Sequence, residues 1–227
     1  MTDADNTARC LAYLGSQVGP HRRPKPHTPP PTVTISRLTG SGGIPVAERL
    51  AQFLQKHRPG SPAPWTLFHR TLVERVLSEH NLPAKLAQYM PEDRVSYVQD
   101  TLEELLGLHP SSTSLVAQVT HTILGLAELG NCIIIGRGAN VILARCPSAL
   151  HVRFVSALDR RVERVQADKR ISAAEALEFI RREDTARARY VKTHFDTDIN
   201  DPVGYHLTIN TETFSADEVA ELIGNAV

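Results

Sequence analysis

A glycine-rich turn near residue 40 joins a strand-like segment to a helix-like segment. Residues 33–36 are mostly β-branched and predict a short strand, and residues 46–54 have the spacing of an amphipathic helix. Between them stand Gly40, Gly42 and Gly43. Glycines here leave backbone N–H groups uncovered at the positive end of a helix, which is the arrangement that binds phosphate. The turn therefore predicts a phosphate or nucleotide ligand.

The turn departs from both standard nucleotide-binding loops. Counted from Gly40, the sixth position of a G-x-G-x-x-G/A dinucleotide loop is Pro45. When Gly42 is aligned with the second glycine of the P-loop G-x-x-x-x-G-K-[ST], the lysine position is Gly43 and the Ser/Thr position is Ile44. A plain strand–helix turn therefore remains an alternative on the motif alone.

Strand-like and helix-like segments alternate along the rest of the chain. Strands are expected at 33–36, 65–68, 131–136, 150–155 and 206–209. Helices are expected at 46–54, 69–80, 83–89, 91–107, 111–129, 139–144, 157–168, 172–190 and 215–224. Two of the helices begin with capping boxes, Ser172 with Glu175 and Ser215 with Glu218. This alternation predicts an α/β fold with a parallel sheet, and ligands outside the carboxyl ends of its strands.

The first 31 residues have a different composition. Residues 19–31 (GPHRRPKPHTPPP) contain six prolines, which block helices and strand ladders. We therefore expect a disordered proline-rich arm at 1–31 and one folded domain at 32–227. An arm of this kind could recruit a partner domain, which makes a scaffold one of the functions to consider.

Charge and hydropathy narrow the function classes. The formal net charge is +0, so no global basic field indicates a nucleic-acid or membrane partner. No apolar run reaches the roughly 18 residues of a transmembrane helix, and the start of the chain lacks a signal-peptide core, so we expect a cytoplasmic protein. Cys10, Cys132 and Cys146 lack metal-ligand spacing and are expected to be free or buried thiols. No metal site built from protein ligands is expected.

Six segments in a fixed order carry a resemblance to a known family. They are ISR-x-x-GSGG at 35–43, FHRTL at 68–72, CIIIGRGANVIL at 132–143, RRVERV at 160–165, REDTARARY at 182–190 and YHLTINT at 205–211. Together they resemble the cytidylate kinase-like family, a branch of the P-loop nucleoside monophosphate kinases, over about residues 33–225. The resemblance implies a three-layer P-loop kinase fold with a parallel sheet, a helical acceptor-binding region and an arginine-rich lid.

The resemblance also implies two phosphate-binding elements. The phosphate loop for ATP would consist of Arg37, Gly40, Ser41, Gly42 and Gly43. The acceptor would bind at a turn containing Arg137, Gly138 and Asn140. Arg137 would hold the acceptor phosphate through a bidentate fork, and Asn140 would contact the base or support the turn. Alternatively, Arg137 caps a helix or pairs with a carboxylate.

Residues 157–192 contain ten basic and seven acidic residues. Pairs such as Arg160–Glu163 and Glu178–Arg182 on solvated helices explain about half of them. The resemblance separates out Arg182, Asp184, Arg187 and Arg189 as lid residues. In that interpretation Arg187 and Arg189 touch phosphates while Asp184 orients one of them; the alternative is ordinary surface charge.

The resulting expectation is Mg²⁺- and ATP-dependent phosphorylation of a small nucleotide, CMP or dCMP, to the diphosphate. Two positions depart from the family pattern: Ile44 replaces a basic residue and His69 replaces an acidic one. Binding would survive these changes better than turnover, so a nucleotide-binding or sensing module without catalysis is the first alternative. A kinase of another small metabolite is the second.

Overall fold

The computed structural model of this chain describes residue 12 and residues 30–58, 64–69 and 114–227. The helices predicted at 83–89 and 91–107, the predicted helix at 69–80 beyond His69, and nearly all of the arm predicted at 1–31 lie outside the described residues. His69 itself is the last residue of a strand, so the predicted helix start at this residue is wrong.

In the described part of the chain, five strands form one parallel sheet. They are β1 (Thr32–Arg37), β2 (Thr66–His69), β3 (Cys132–Ile135), β4 (Ala149–Val155) and β5 (Leu207–Asn210). Their order across the sheet is β2-β3-β1-β4-β5, and every neighbouring pair is parallel. The α/β class and the parallel sheet predicted from the alternating segments are confirmed.

Helices cover both faces of the sheet. They are α1 (Gly43–His57), α2 (Ser114–Leu129), α3 (Ala139–Ile142), α4 (Leu158–Lys169), α5 (Ala173–Phe195) and α6 (Ala216–Ala226). Both predicted capping boxes are present, at the starts of α5 and α6. Helix α5 runs five residues beyond the predicted end at 190 and stops at Asp196, which has a left-handed backbone with φ of 48°. A 3₁₀ turn (Pro202–Gly204) precedes β5.

The two faces of the sheet differ in polarity. Alternate residues of a strand point to opposite faces, so Val33 and Ile35 of β1 pack with α1 and α6 in one apolar cluster. On the opposite face of the sheet, Thr34 of β1 lies beside His151 of β4. Two residues further along the two strands, Ser36 lies beside Arg153. A polar stripe therefore leads along β1 and β4 toward the carboxyl edge of the sheet.

Among the described residues, none of the helices is both long enough and apolar enough to span a bilayer. Cys132 and Cys146 are free thiols, as expected, while Cys10 lies outside the described residues. Burial raises the pKa of the Cys132 thiol to about 12, so this sulfur stays protonated and inert at neutral pH.

Candidate functional site

A cavity of about 580 Å³ opens at the carboxyl edge of the sheet, where parallel α/β sheets place their ligands. Its walls come from the ends of β1, β2 and β3, from the residues after β3, and from α5. The residues that line it are Thr34, Ile35, Ser36, Arg37, Ile44, His69, Ile135, Gly136, Arg137, Gly138, Ala139, Asn140, Lys169, Glu183, Ala186, Arg187, Tyr190, Val191 and Ile199.

Arg37 of the glycine loop (residues 37–43) lines this cavity, as does the following Ile44, whereas residues 40–43 do not line it. Gly40 and Gly42 have φ of 80° and 78°, a conformation that residues with a Cβ rarely adopt. Gly42 precedes the first turn of α1 as its N-cap residue and brings no side chain to cap the helix. Nothing lies within 4 Å of where its Cβ would be. The start of α1 therefore has no side-chain cap, and the space beside Gly42 is open.

Arg37 extends from the glycine loop to the turn after β3. Its Cγ would lie 3.2 Å from a Cβ built on Gly43, and its Nη1 would lie 2.5 Å from a Cβ built on Gly136. The Arg37 side chain thus occupies space that side chains at these two positions would otherwise fill. Its aliphatic carbons therefore pass Gly43 of the loop, and its guanidinium lies beside Gly136 of the turn after β3.

Asp184 of α5 binds the glycine loop directly. Its Oδ1 accepts hydrogen bonds from the Thr39 backbone N–H at 2.8 Å and from Thr39 Oγ1 at 2.7 Å. Arg161 of α4 donates to Oδ2 at 2.6 Å, and Arg187 donates to Oδ1 at 3.0 Å and also to Thr39 Oγ1. One carboxylate therefore joins the loop, α4 and α5, between two guanidinium groups.

A second arginine of α4 fixes the far side of the loop. Arg164 Nη2 donates to the Thr211 carbonyl at 2.6 Å, and Thr211 Oγ1 donates to the Ser41 carbonyl at 2.8 Å. Sequence reasoning gave Arg161 and Arg164 no role beyond the charged surface of a helix. Their spacing of three residues, which puts both on one helix face, was the available signal.

The GRGAN turn (residues 136–140) follows β3, and Arg137, Gly138 and Asn140 all line the cavity. Arg137 has φ of 59° and stands between two glycines of positive φ, so the turn holds it in an uncommon conformation. Its Cζ lies 5.2 Å from the centre of the Tyr190 ring of α5. Asn140 Nδ2 donates to the Gly204 carbonyl at 3.4 Å, so in this structure Asn140 supports the turn.

Arg182 and Arg189 lie on a different side of α5 from Asp184 and Arg187. They line a separate shallow groove, and Arg189 is exposed. Helical geometry explains the split, because positions 187 and 189 are roughly 200° apart around the axis. The structure brings Arg187 to the main cavity and leaves Arg182 and Arg189 outside it.

The sequence also predicted two ion pairs on these helices. The Arg160–Glu163 pair is confirmed, with 2.7 Å between Nη1 and Oε2. The prediction of a Glu178–Arg182 pair is wrong. Arg182 instead places its Cζ 5.4 Å from the centre of the Phe179 ring, with its Nε 3.9 Å from Glu183 Oε1.

The polar stripe below the cavity contains a neutral histidine. His151 is 4% exposed, and its Nδ1 lies 2.8 Å from Thr34 Oγ1. Burial, together with a smaller effect of the neighbouring His206, lowers the pKa of His151 to about 4. At neutral pH the imidazole therefore adds no charge beneath the cavity.

The donor set around the cavity suits a phosphate ligand better than a metal held by protein alone. Arg37, Arg137 and Arg187 line it, and Glu183 is a carboxylate in the wall. In the part of the chain that the structure describes, no three His, Cys, Asp or Glu side chains form a group that could hold a metal ion.

Comparison with known proteins gives a family, a distant curated relative and a similar structure. The model of the cytidylate kinase-like family matches residues 32–213. A uronate isomerase of Corynebacterium glutamicum is 26% identical over 113 residues, which cover 50% of this chain and 22% of that protein. The chain thus spans only about a fifth of that relative's length, too little and at too low an identity to show a shared family.

The solved structure of an uncharacterized protein from Eubacterium ventriosum superposes with a TM-score of 0.55 at 16% identity. The match covers 86% of this chain and 97% of that one, and at this identity it shows the fold alone. The family match is of another kind, because it spans the sheet, the glycine loop and the GRGAN turn together and indicates a nucleotide kinase. With residues 32–213 matched, the chain belongs to the cytidylate kinase-like family.

Proposed function

We propose that this protein transfers a phosphoryl group from ATP to a nucleoside monophosphate, with CMP or dCMP as the acceptor. The observation that carries the proposal is the position of Arg37, whose side chain runs from Gly43 of the glycine loop to Gly136 of the GRGAN turn. The Arg37 side chain thus connects the two elements proposed to hold the donor and acceptor phosphates, with its guanidinium at the GRGAN turn. Phosphoryl transfer needs this kind of positioning more than it needs covalent chemistry.

Each part of the site has a proposed task. The N–H groups of Gly40, Gly42 and Gly43 bind the ATP phosphates at the start of α1, while the Ser41 N–H is already hydrogen-bonded to the Leu38 carbonyl. Arg137 binds the acceptor phosphate from the GRGAN turn. Arg37 and Arg187 face the region between them and stabilise the negative charge that spreads over the phosphoryl oxygens during transfer. Arg37 thereby supplies a positive charge to a site in which the P-loop lysine position is Gly43.

ATP with Mg²⁺ supplies the phosphoryl group and a metal that neutralises charge on its phosphates. The open space beside Gly42 supports this proposal, because it leaves room for a phosphate at the start of α1. Mg²⁺ commonly binds substrate phosphates and water with only one or two protein carboxylates, and Glu183 lines the cavity. Ile44 has no hydroxyl to offer the metal, so its protein ligands are fewer here than in a standard P-loop.

The test measures nucleoside diphosphate formation with Mg²⁺ and ATP against a panel of monophosphates and other small phosphate or hydroxyl acceptors. Wild type is compared with Arg137→Met and with the control Arg160→Met, which removes an exposed arginine of α4. We expect CMP or dCMP to be phosphorylated, with turnover retained in Arg160→Met and lost in Arg137→Met. Selective phosphorylation of another class of acceptor would reject the CMP assignment.

The second candidate is a nucleotide-binding module without catalysis. It is favoured by Gly43 at the lysine position and by Asp184, which already binds the Thr39 N–H of the loop. Saturable ATP binding without turnover of any acceptor would support this candidate and reject the kinase proposal.

A further inference from the structure

Arg153 of β4 is a buried cation that the proposed reaction leaves without a task. It is 4% exposed and lies opposite Ser36 in the register of β1 and β4. Its Nη1 donates to Ser36 Oγ at 2.8 Å and its Nη2 donates to Asn200 Oδ1 at 2.9 Å. Its Cζ lies 5.5 Å from the centre of the Tyr205 ring.

All of these partners are neutral. Within the described ranges, Arg153 forms no ion pair with a carboxylate: its contacts are a hydroxyl, an amide oxygen and an aromatic ring. Removing a guanidinium from water is costly unless an opposite charge accompanies it. The arrangement is therefore electrostatically incomplete without an anion.

A pocket of about 230 Å³ provides room for that anion. This side pocket is lined by Arg37, Leu38, Arg153, Asp184, Thr185, Arg187, Ala188, Ile199 and Asn200. Three of these residues are arginines and one is a carboxylate. That carboxylate, Asp184, is already paired with Arg161 and Arg187. Arg187 is also paired with Glu183, with 3.7 Å between Nη2 and Oε2, so the uncompensated charge that the side pocket offers is that of Arg153.

The side pocket adjoins the main cavity, since Arg37, Arg187 and Ile199 line both. Guanidinium groups are planar donors that match the oxygens of phosphate. We propose that the side pocket is an anion subsite in which Arg153, together with Arg37 and Arg187, binds a tetrahedral phosphate oxyanion. The subsite goes beyond the proposed reaction and does not require catalysis, because an inert nucleotide-binding protein would have it equally.

The test titrates inorganic phosphate and pyrophosphate into the full chain at constant ionic strength, by isothermal titration calorimetry. The proteins are wild type, Arg153→Met, Arg153→Lys and the matched control Arg160→Met. We expect saturable binding to wild type and Arg160→Met, at least tenfold weaker binding to Arg153→Met, and intermediate binding to Arg153→Lys. Equal affinity in wild type and Arg153→Met, or no saturable binding of either anion to wild type, would overturn the subsite.

Thermal unfolding in phosphate-free buffer checks that the variants fold. Arg153→Met should keep or raise the melting temperature, because an apolar side chain of similar length replaces an uncompensated charge. If Arg153→Met does not fold, the comparison of wild type with Arg153→Lys decides, and unchanged affinity in Arg153→Lys would then overturn the subsite.

Repeating the titration with saturating CMP or ATP identifies the source of the phosphate. Competition would assign the subsite to a phosphate group of the nucleotide, and unaltered binding would assign it to free phosphate or pyrophosphate; both results support the subsite. These binding experiments contain no turnover step. A failed kinase assay would therefore reject the proposed reaction without touching this inference.

Discussion

Single residues of the glycine loop show how local space limits substitution. Gly40 and Gly42 have almost the same φ, 80° and 78°, but different surroundings. A Cβ on Gly40 would lie 2.6 Å from the Arg161 backbone carbonyl oxygen, whereas a Cβ on Gly42 would meet open space. A side chain at either position would therefore be strained by the left-handed backbone. Only a side chain at Gly40 would also clash with a neighbouring residue.

We predict that Gly42→Ala lowers the free energy of unfolding by about 1 kcal/mol, the cost of a left-handed alanine. Gly40→Ala should lower it by at least about 1 kcal/mol more, because the start of α4 must shift away from the loop. Urea denaturation of the two variants at pH 7 measures the difference. Equal losses would mean that α4 yields without cost and that the close approach at Gly40 does not constrain the loop.

His151 predicts a pH dependence of stability. Its pKa is about 4 in the folded chain and 6.5 without burial, so the unfolded chain binds its proton more readily between these values. The contribution of His151 to the free energy of unfolding is complete above pH 6.5 and is lost as the pH falls toward 4. From pH 7 to pH 5, wild type should lose up to about 2 kcal/mol more than His151→Gln.

Urea denaturation of wild type and His151→Gln at pH 7 and pH 5 measures this difference. Carboxylates titrate in both proteins, so only the difference between the two losses reports on His151. Parallel losses in the two proteins would show that His151 does not titrate differently on folding.

At the scale of elements, α5 determines which charges reach the site. The helix turns Asp184 and Arg187 toward the glycine loop and leaves Arg189 exposed beside a separate groove. The sequence motif places all of these residues within a short segment. The angular position of each residue around the helix axis decides whether its side chain lies at the cavity or on the surface.

We predict that Arg187→Met lowers kcat for nucleoside monophosphate phosphorylation by at least about 100-fold, since it removes a charge facing the phosphoryl group. Arg189→Met should change kcat by less than about threefold, as is usual for an exposed charge. Steady-state kinetics on both variants makes the comparison. Similar losses in both would mean that α5 turns or moves during the reaction and brings its second face to the substrate.

At the scale of the whole molecule, the sheet needs a short piece of chain before β1. The Asn131 N–H donates to the Pro31 carbonyl at 2.8 Å, and Pro30 lies against Gly130. These contacts tie the start of β1 to the turn before β3. The boundary between arm and domain predicted at residue 31 therefore cuts through contacts that belong to the domain.

We predict that removing residues 1–29 leaves the melting temperature unchanged, whereas removing residues 1–31 lowers it by about 3 °C. The second deletion loses a hydrogen bond worth about 1 kcal/mol, and a change of that size shifts a domain of this length by a few degrees. Differential scanning calorimetry of the two truncated proteins, each beside wild type, measures the shifts. Equal melting temperatures would show that the Pro31 contact contributes nothing.

Much of the fold could be predicted because local signals and long-range structure agree. The β-branched run before Gly40, the apolar run before Gly136 and the two capping boxes each mark an element that the structure contains. The family resemblance added the order of the motifs, and the family match confirms it.

The site could be predicted less well, because its decisive contacts join residues far apart in the chain. Asp184 lies 145 positions after Thr39, and Arg153 lies 117 positions after Ser36. A lone arginine in a strand has no periodicity to mark it, and the charged faces of α4 resemble any solvated helix. Segment order places a residue on an element, whereas only the packed structure shows which way the side chain turns.

The contact between Asp184 and Thr39 has a consequence for binding measurements. The Thr39 N–H already donates to the Asp184 carboxylate. This carboxylate belongs to the same chain, so its effective concentration at the loop is high. An incoming phosphate that takes this N–H must exchange with the carboxylate, and Arg161 and Arg187 change partners in the same event. Because salt weakens both the departing and the arriving contacts, the ionic-strength dependence of nucleotide affinity should be shallower than the number of arginines suggests.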